Sequence, residues 1–222
     1  AASLSLFAGS TASSAPAPPR PDHLGSDFWV TFPLNYNAID VTNSVLITAP
    51  RATTGSVSYP GGSSDFTVAP DAATTVTLPD SLMLDAATET TPQNKGVHVT
   101  ALDEVSVVVS DLLPGSQGTY LALPADVTGE ENLVLAWPAP GIPGTVSQFA
   151  VVAAEDGTEV TYVPQAQTSS GISAGTPTMA NLNAGDVLPV SSAVGDLSGT
   201  PVTSNKPVGV IGGHSCANIP TP

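Results

Sequence analysis

Two stretches of this sequence, 103 residues apart, repeat one another without a gap. Residues 96–100 (GVHVT) followed by 105–108 (VSVV) lie over residues 199–203 (GTPVT) followed by 208–211 (VGVI). The same offset carries Val57-Ser58-Tyr59 onto Val160-Thr161-Tyr162. Upstream, residues 29–33 (WVTFP) resemble residues 120–124 (YLALP) at an offset of 91, and the 12-residue difference corresponds to an extra strand expected around 132–137. Residues 68–71 (VAPD) match 182–185 (LNAG), each pair entering a strand through a turn. Repetition at a fixed period with preserved order means one supersecondary unit used twice. Any fold for this chain has to accommodate two diverged copies, the second starting near Tyr120.

The repeated unit is made of strands. Short runs rich in Val, Thr and aromatic residues follow one another every 10 to 15 residues from residue 25 onward. They fall at 28–32, 45–49, 56–59, 66–69, 74–78, 97–101 and 105–110, then at 120–123, 132–137, 149–153, 158–163, 186–190, 201–203 and 208–211. Several alternate apolar with small polar residues, the period-2 pattern of a strand with one buried face. The 22 prolines and 20 glycines are spread between these runs as turn punctuation. Hydrophobic residues make up 41% of the chain and aromatics only 5%, so a core has to be built mainly from Val, Leu, Ile and Ala. The expected fold is all-β, a tandem pair of diverged β-sandwich-like units packed into one domain, with little or no helix. The units are expected at 25–117 and 118–222. Two propeller blades cannot close a ring, which disfavours that architecture.

Residues 1–24 differ from the rest. Their first ten are apolar and small, compatible with the end of a signal-peptide core or with a strand or tether held by neighbours. Leu4, Leu6 and Phe7 are the candidate assembly residues of the second reading. Residues 15–21 (APAPPRP) then form a stiff extended linker.

Charge excludes several functions. The chain carries 19 acidic against 4 basic side chains, a net charge of −15. Only Arg20, Arg51, Lys95 and Lys206 are available to meet phosphate, which all but excludes nucleic acid as a partner and disfavours an anionic lipid surface. No window reaches the roughly 18 apolar residues of a membrane span. The acidic surface is compatible with plain solubility, with salty surroundings, or with carboxylates for calcium. Asp103-Glu104, Glu130-Glu131, Glu155-Asp156 and Asp186 sit in expected turns, without the spacing of a calcium loop. His23, His98 and His214 are scattered singly, against a zinc site. The cluster Gly212-Gly213-His214-Ser215-Cys216 invites a nucleophile–base reading. Adjacent residues on a strand point to opposite faces, however, which favours a structural turn over catalysis. Cys216 is the sole cysteine. It is either a small buried thiol or the half of a disulfide whose other half lies in a partner or outside this segment.

Several strings resemble the N-terminal domain family of IgGFc-binding protein and its bacterial relatives. They are residues 28–36 (FWVTFPLNY), 94–101 (NKGVHVTA), 120–124 (YLALP), 149–161 (FAVVAAEDGTEVT) and 196–202 (DLSGTPV), and above all 205–220 (NKPVGVIGGHSCANIP). The resemblance runs in order from about residue 25 onward. It implies a non-catalytic module at a cell or matrix surface that binds protein or glycan, without cofactor. It hands over no defined set of ligand contacts. It also implies a second cysteine shortly after Cys216, so the disulfide of Cys216 is in doubt. The alternative function is a self-assembling subunit of a surface filament or sheath, in which residues 1–20 exchange a strand between copies.

Overall fold

The computed structural model describes residues 22–36, 40–85, 89–139 and 142–217. Leu4, Leu6 and Phe7 lie outside the described residues, as does the close of the 205–220 string. The regular structure of the described chain is strand, joined by loops and turns, with two single 3-10 turns at Asp80–Leu82 and Ala125–Val127. Strands β1 (Gly25–Val30), β2 (Thr42–Thr48), β3 (Thr53–Tyr59), β4 (Gly62–Val68), β5 (Ala73–Leu78), β7 (Val97–Leu113) and β8 (Ser116–Leu121) form one assembly. The second comprises β6 (Gln93–Asn94), β9 (Gly129–Leu133), β10 (Ser147–Ala153), β11 (Thr158–Tyr162), β12 (Thr178–Leu182), β13 (Asp186–Ser192) and β14 (Pro201–His214).

Each assembly is a sandwich whose two layers share one long strand. The first half of β7 pairs with β3 on one side and β1 on the other, and its second half pairs with β2 and β8. Between them it bends at residues 102–104, which are largely exposed. Sequence patterning expects two strands here, because Leu102, Asp103 and Glu104 interrupt the alternation. The backbone nevertheless stays extended through the bend, since each half is held by its own neighbours. β14 does the same, so the expected strands at 201–203 and 208–211 are also one element. Its first half pairs with β11 and β9, and its second half with β10.

The inward side chains form one core per sandwich. Phe28, Val57 and Val99 meet Val45, Ile47, Val107 and Val109 in the first. Phe149, Val151 and Val190 meet Val160, Tyr162, Leu182 and Val202 in the second. A third cluster joins the two units: Ala150, Val152 and Val187 pack with Leu84, Trp29 and Ile211. This explains why every residue of β10 is buried, where a strand with one wet face would alternate. Trp29 also stacks on His98, with ring centroids 4.2 Å apart, and His98 Nε2 lies 3.1 Å from Asp27 Oδ1. That histidine is a packing residue.

The duplication is visible in the pairings. The offset of 103 puts Val107 on Val210, and their partners across the sheet are Ile47 and Val151. Thr53 opposite Val68 in the first unit corresponds to Thr158 opposite Leu182 in the second, in line with the expected match of 68–71 to 182–185. Two details differ from the sequence alignment. Val57 pairs with Val99, but Val202, the counterpart of Val99, pairs with Tyr162 and not with Val160. A slip of two residues keeps the buried face buried and so leaves no trace in the alternation. Second, the counterpart of β1 is β9, which flanks β14 as β1 flanks β7, and not the string at 120–124.

That string belongs to β8, which stays with the first sandwich. The β7–β8 hairpin closes through Gly115 at a φ of 87°, a conformation open to glycine, and this short return leaves β8 beside β7. Tyr120 then ties β8 to the end of β1: its hydroxyl donates to Thr31 O at 2.7 Å and accepts the Thr31 N–H at 3.1 Å. Conversely, β6 from the first half of the chain pairs with β13 of the second sandwich. Strands thus cross in both directions around the expected boundary at 117/118.

Candidate functional site

An open groove of about 890 Å³ lies between the two sandwiches. One wall is the β7–β8 hairpin with residues 33–35. The other is the second half of β14 with residues 135–138.

The hairpin wall is polar and internally satisfied. The Asn35 side-chain amide donates to Asp111 Oδ1, and Ser116 Oγ donates to Asn35 Oδ1 at 2.6 Å. The Gly118 N–H donates to Asp111 Oδ1 at 3.2 Å. Gly118 is required here, because a Cβ at that position would stand 2.5 Å from Asp111 Oδ2. On the floor, Gln148 Nε2 donates to Leu34 O at 2.6 Å and bridges the two units. Burial pushes the Asp111 carboxyl above its ordinary value, although its hydrogen bonds to Asn35 and Gly118 pull the other way.

This has a pH consequence. A carboxyl whose value is raised in the folded state stabilises below its unfolded value of about 4, and that contribution is lost as pH rises through the folded value. Asp111→Asn keeps an acceptor for Asn35 and Gly118 and removes the charge. Its melting temperature is expected to equal or exceed that of the unmodified chain at pH 7 and to lose the advantage near pH 4. A pH series of thermal melts checks this, and parallel curves would show that Asp111 is not responsible.

The opposite wall is apolar. Residues 133–137 leave β9 in extended conformation and present Leu133, Leu135 and Trp137 at 71%, 82% and 40% exposure. Sequence patterning expected a strand over 132–137. Pairing ends at Leu133, and beyond it the segment is pinned by single bonds: Val134 N to Thr200 O at 3.0 Å, Gly199 N to Val134 O at 2.8 Å, and Ala136 N to Ser198 Oγ at 3.0 Å.

Behind this segment runs a free strand edge. In the first sandwich β8 covers the outer edge of the second half of β7, with the Ala122 N–H donating to Val107 O at 2.9 Å. In the second sandwich the equivalent edge of β14 has β9 opposite Val208 alone, and beyond it no strand among the described residues. Hydrogen-bonding direction alternates along an antiparallel strand. The Ser215 N–H donates to Val146 O on the β10 side at 3.0 Å, so Val210, Gly212 and His214 turn their main-chain groups outward. They are the counterparts of Val107, Val109 and Asp111.

The cluster at 212–216 has no catalytic geometry. His214 Nδ1 accepts the Cys216 N–H at 3.1 Å, and Ser215 Oγ accepts the Val146 N–H at 2.9 Å. Histidine and serine are therefore committed to separate backbone partners. The His214 Nε2 atom is buried without a hydrogen-bond partner among the described residues, and burial holds its imidazole below the ordinary value. Gly212 to His214 are strand, and the bend expected there is confined to Ser215 and Cys216. Cys216 is a free, half-buried thiol on the groove.

Of the carboxylates expected in turns, Glu155 and Asp156 are in one, whereas Asp103 and Glu104 lie in β7, Glu130 and Glu131 in β9, and Asp186 opens β13. Glu155 lies 3.5 Å from Lys206 Nζ, Asp156 Oδ1 accepts the Ala184 N–H, and Asp186 Oδ2 accepts the Asn183 N–H. Among the described residues no three His, Cys, Asp or Glu side chains converge as a metal site. No described helix is long and apolar enough to cross a membrane. The groove has little local signal in the sequence. The one available clue was the alternation of Leu133, Leu135 and Trp137, whose exposed face the sequence does not disclose.

No curated protein and no solved structure matches this chain. A family model described as IgGFc binding protein matches residues 118–222, which cover most of β8, all of β9 to β14 and the apolar wall of the groove. The resemblance seen in residues 25–117 lies outside that match. That match agrees with the resemblance carried by residues 120–124, 149–161, 196–202 and 205–220.

Proposed function

We propose that this chain is a non-catalytic binding module of an extracellular or cell surface, and that it holds a protein partner in the groove between its two sandwiches. The observation that carries the reading is the outward-facing edge of β14 beside the exposed Leu135 and Trp137. Main-chain donors and acceptors next to an apolar row recognise an extended polypeptide, with the backbone supplying affinity and alternate side chains supplying selectivity. The match of residues 118–222 to a family named for binding immunoglobulin supports protein as the partner class. The committed hydrogen bonds of His214 and Ser215 support the absence of catalysis.

The first probe is the immunoglobulin G Fc fragment, with other extracellular-matrix proteins and glycans arrayed beside it. Binding by the unmodified chain is measured by surface plasmon resonance. Leu135→Asp is expected to weaken binding at least tenfold, since a charge replaces an apolar contact. Met179→Asp, at a 70% exposed site elsewhere, leaves it unchanged. Equal binding by Leu135→Asp and the unmodified chain would place the contact elsewhere.

A further inference from the structure

We infer that the edge of β14 accepts a β-strand from a second copy of this chain, namely residues 3–8 (SLSLFA). The inference rests on the groove being the binding site and names its occupant.

The two sandwiches match strand for strand around their long strands: β3 with β11, β2 with β10, β1 with β9. In the first, a further antiparallel strand, β8, covers the edge at Val107, Val109 and Asp111. In the second, the equivalent edge at Val210, Gly212 and His214 faces the groove, and no described strand takes the place of β8. An uncovered run of strand edge is a template for pairing. The fold itself shows what fits, because β8 is the solution already present in the other half.

Residues 3–8 have the chemistry of that missing strand. Leu4 and Leu6 are two apart and so share one face of an extended chain, separated by small serines. The apolar face meets the Leu135 and Trp137 wall, and the main chain meets the β14 edge. Residues 1–19 carry no charged side chain in a chain of net charge −15, and residues 207–217 carry no acidic one. The donor segment therefore brings no negative side chain to a groove whose lining includes Asp111 and Asp196.

The spacer selects a second copy over the same one. Residues 9–24 span at most about 55 Å when extended, at roughly 3.3–3.6 Å per residue. The run 15–21 is proline-rich, a composition that disfavours folding back onto the same molecule. Donor and acceptor are different surfaces of one molecule, which makes the contact heterologous, so copies join head to tail.

The test uses the full 222-residue chain, with mass followed by light scattering over a concentration series. The unmodified chain is expected to form species heavier than a monomer. The double variant Leu4→Asp/Leu6→Asp, which alters neither core, is expected to need at least tenfold higher concentration for the same association. Leu135→Asp is expected to do the same from the acceptor side. A peptide of residues 1–14 added in excess is expected to dissociate the assemblies. A chain that stays monomeric, or a double variant that assembles as the unmodified chain does, overturns the inference. A monomer that nonetheless occupies its own groove, seen as failure of the labelled peptide to bind until Leu4 and Leu6 are replaced, also overturns it. Loss of Fc or matrix-protein binding in Leu135→Asp with assembly unaffected by the double variant leaves the groove reading standing and removes this occupant.

Discussion

Phe149→Ala is expected to destabilise the protein by about 3–5 kcal/mol, the range for removing a buried aromatic ring and leaving a cavity. Phe149 is 1% exposed in the second core and meets Tyr162 edge-to-face, with centroids 5.8 Å apart and planes at 76°. Its pairing partners across the sheet are Val190 on β13 and Gly212 on β14. Glycine on one side offers no side chain of its own to the vacated space, and the nearby Val134 belongs to a segment held to Thr200 and Gly199. Collapse around the cavity is therefore limited, which sets the expectation toward the upper half of the range. The β10 backbone that carries Phe149 also buries Ala150 and Val152 against the first sandwich, so loosening it is felt at the joint between units. Urea denaturation gives the free energy directly, and an unchanged slope shows that the same surface unfolds. Phe149→Leu retains much of the volume and is expected to lose about 1.5 kcal/mol or less. A loss below about 1 kcal/mol for the alanine variant would mean that the ring is not enclosed as described.

Gly212→Ala is expected to cost about 3 kcal/mol, at the upper end for forcing a single extra carbon into a filled site. An ideal Cβ there would stand 2.1 Å from Leu135 O and 2.8 Å from Leu135 C. These are backbone atoms, and they cannot retreat freely, because Val134 and Ala136 on either side are held to Thr200, Gly199 and Ser198. Relief therefore requires the 134–136 segment to leave β14 or β14 to leave β10. The first route displaces Leu135 and Trp137, so the variant should lose groove binding as well as stability. Gly213→Ala is the control: a Cβ at Gly213 meets nothing within 4 Å, and its stability should stay within about 0.5 kcal/mol. Comparable losses at Gly212 and Gly213 would mean that close approach is not the reason for the glycine at 212.

These two residues illustrate what could be read before the fold was known. Phe149 belongs to the run FAVVA, and its burial follows from an uninterrupted apolar stretch. Its partner Tyr162 was expected on a strand, but their contact joins two layers and has no local signature. Gly212 was visible as part of a glycine pair beside a histidine. Which of the pair is sterically required depends on residues 134–136, more than seventy positions earlier. The same holds for the groove. Asn35 comes from one stretch of the chain and Asp111 and Ser116 from the β7–β8 hairpin about 80 residues later, and none carries a motif. Cys216, singled out as a lone thiol, stands at the end of this groove.

The repeat at an offset of 103 was sufficient to establish an all-β chain with two sandwich-like units, because strand periodicity and turn chemistry are local properties that survive divergence. Pairing registers, the continuity of β7 and β14 through their polar bends, and the assignment of β8 to the first sandwich were decided by tertiary structure. Each depends on which neighbour satisfies the main-chain hydrogen bonds, and a strand of alternating Val and Thr offers the same face to many neighbours. The uncovered edge of β14 follows from the same cause. Sequence shows two copies of a unit, and only packing shows that one copy has its last strand in place while the other presents that position to the groove.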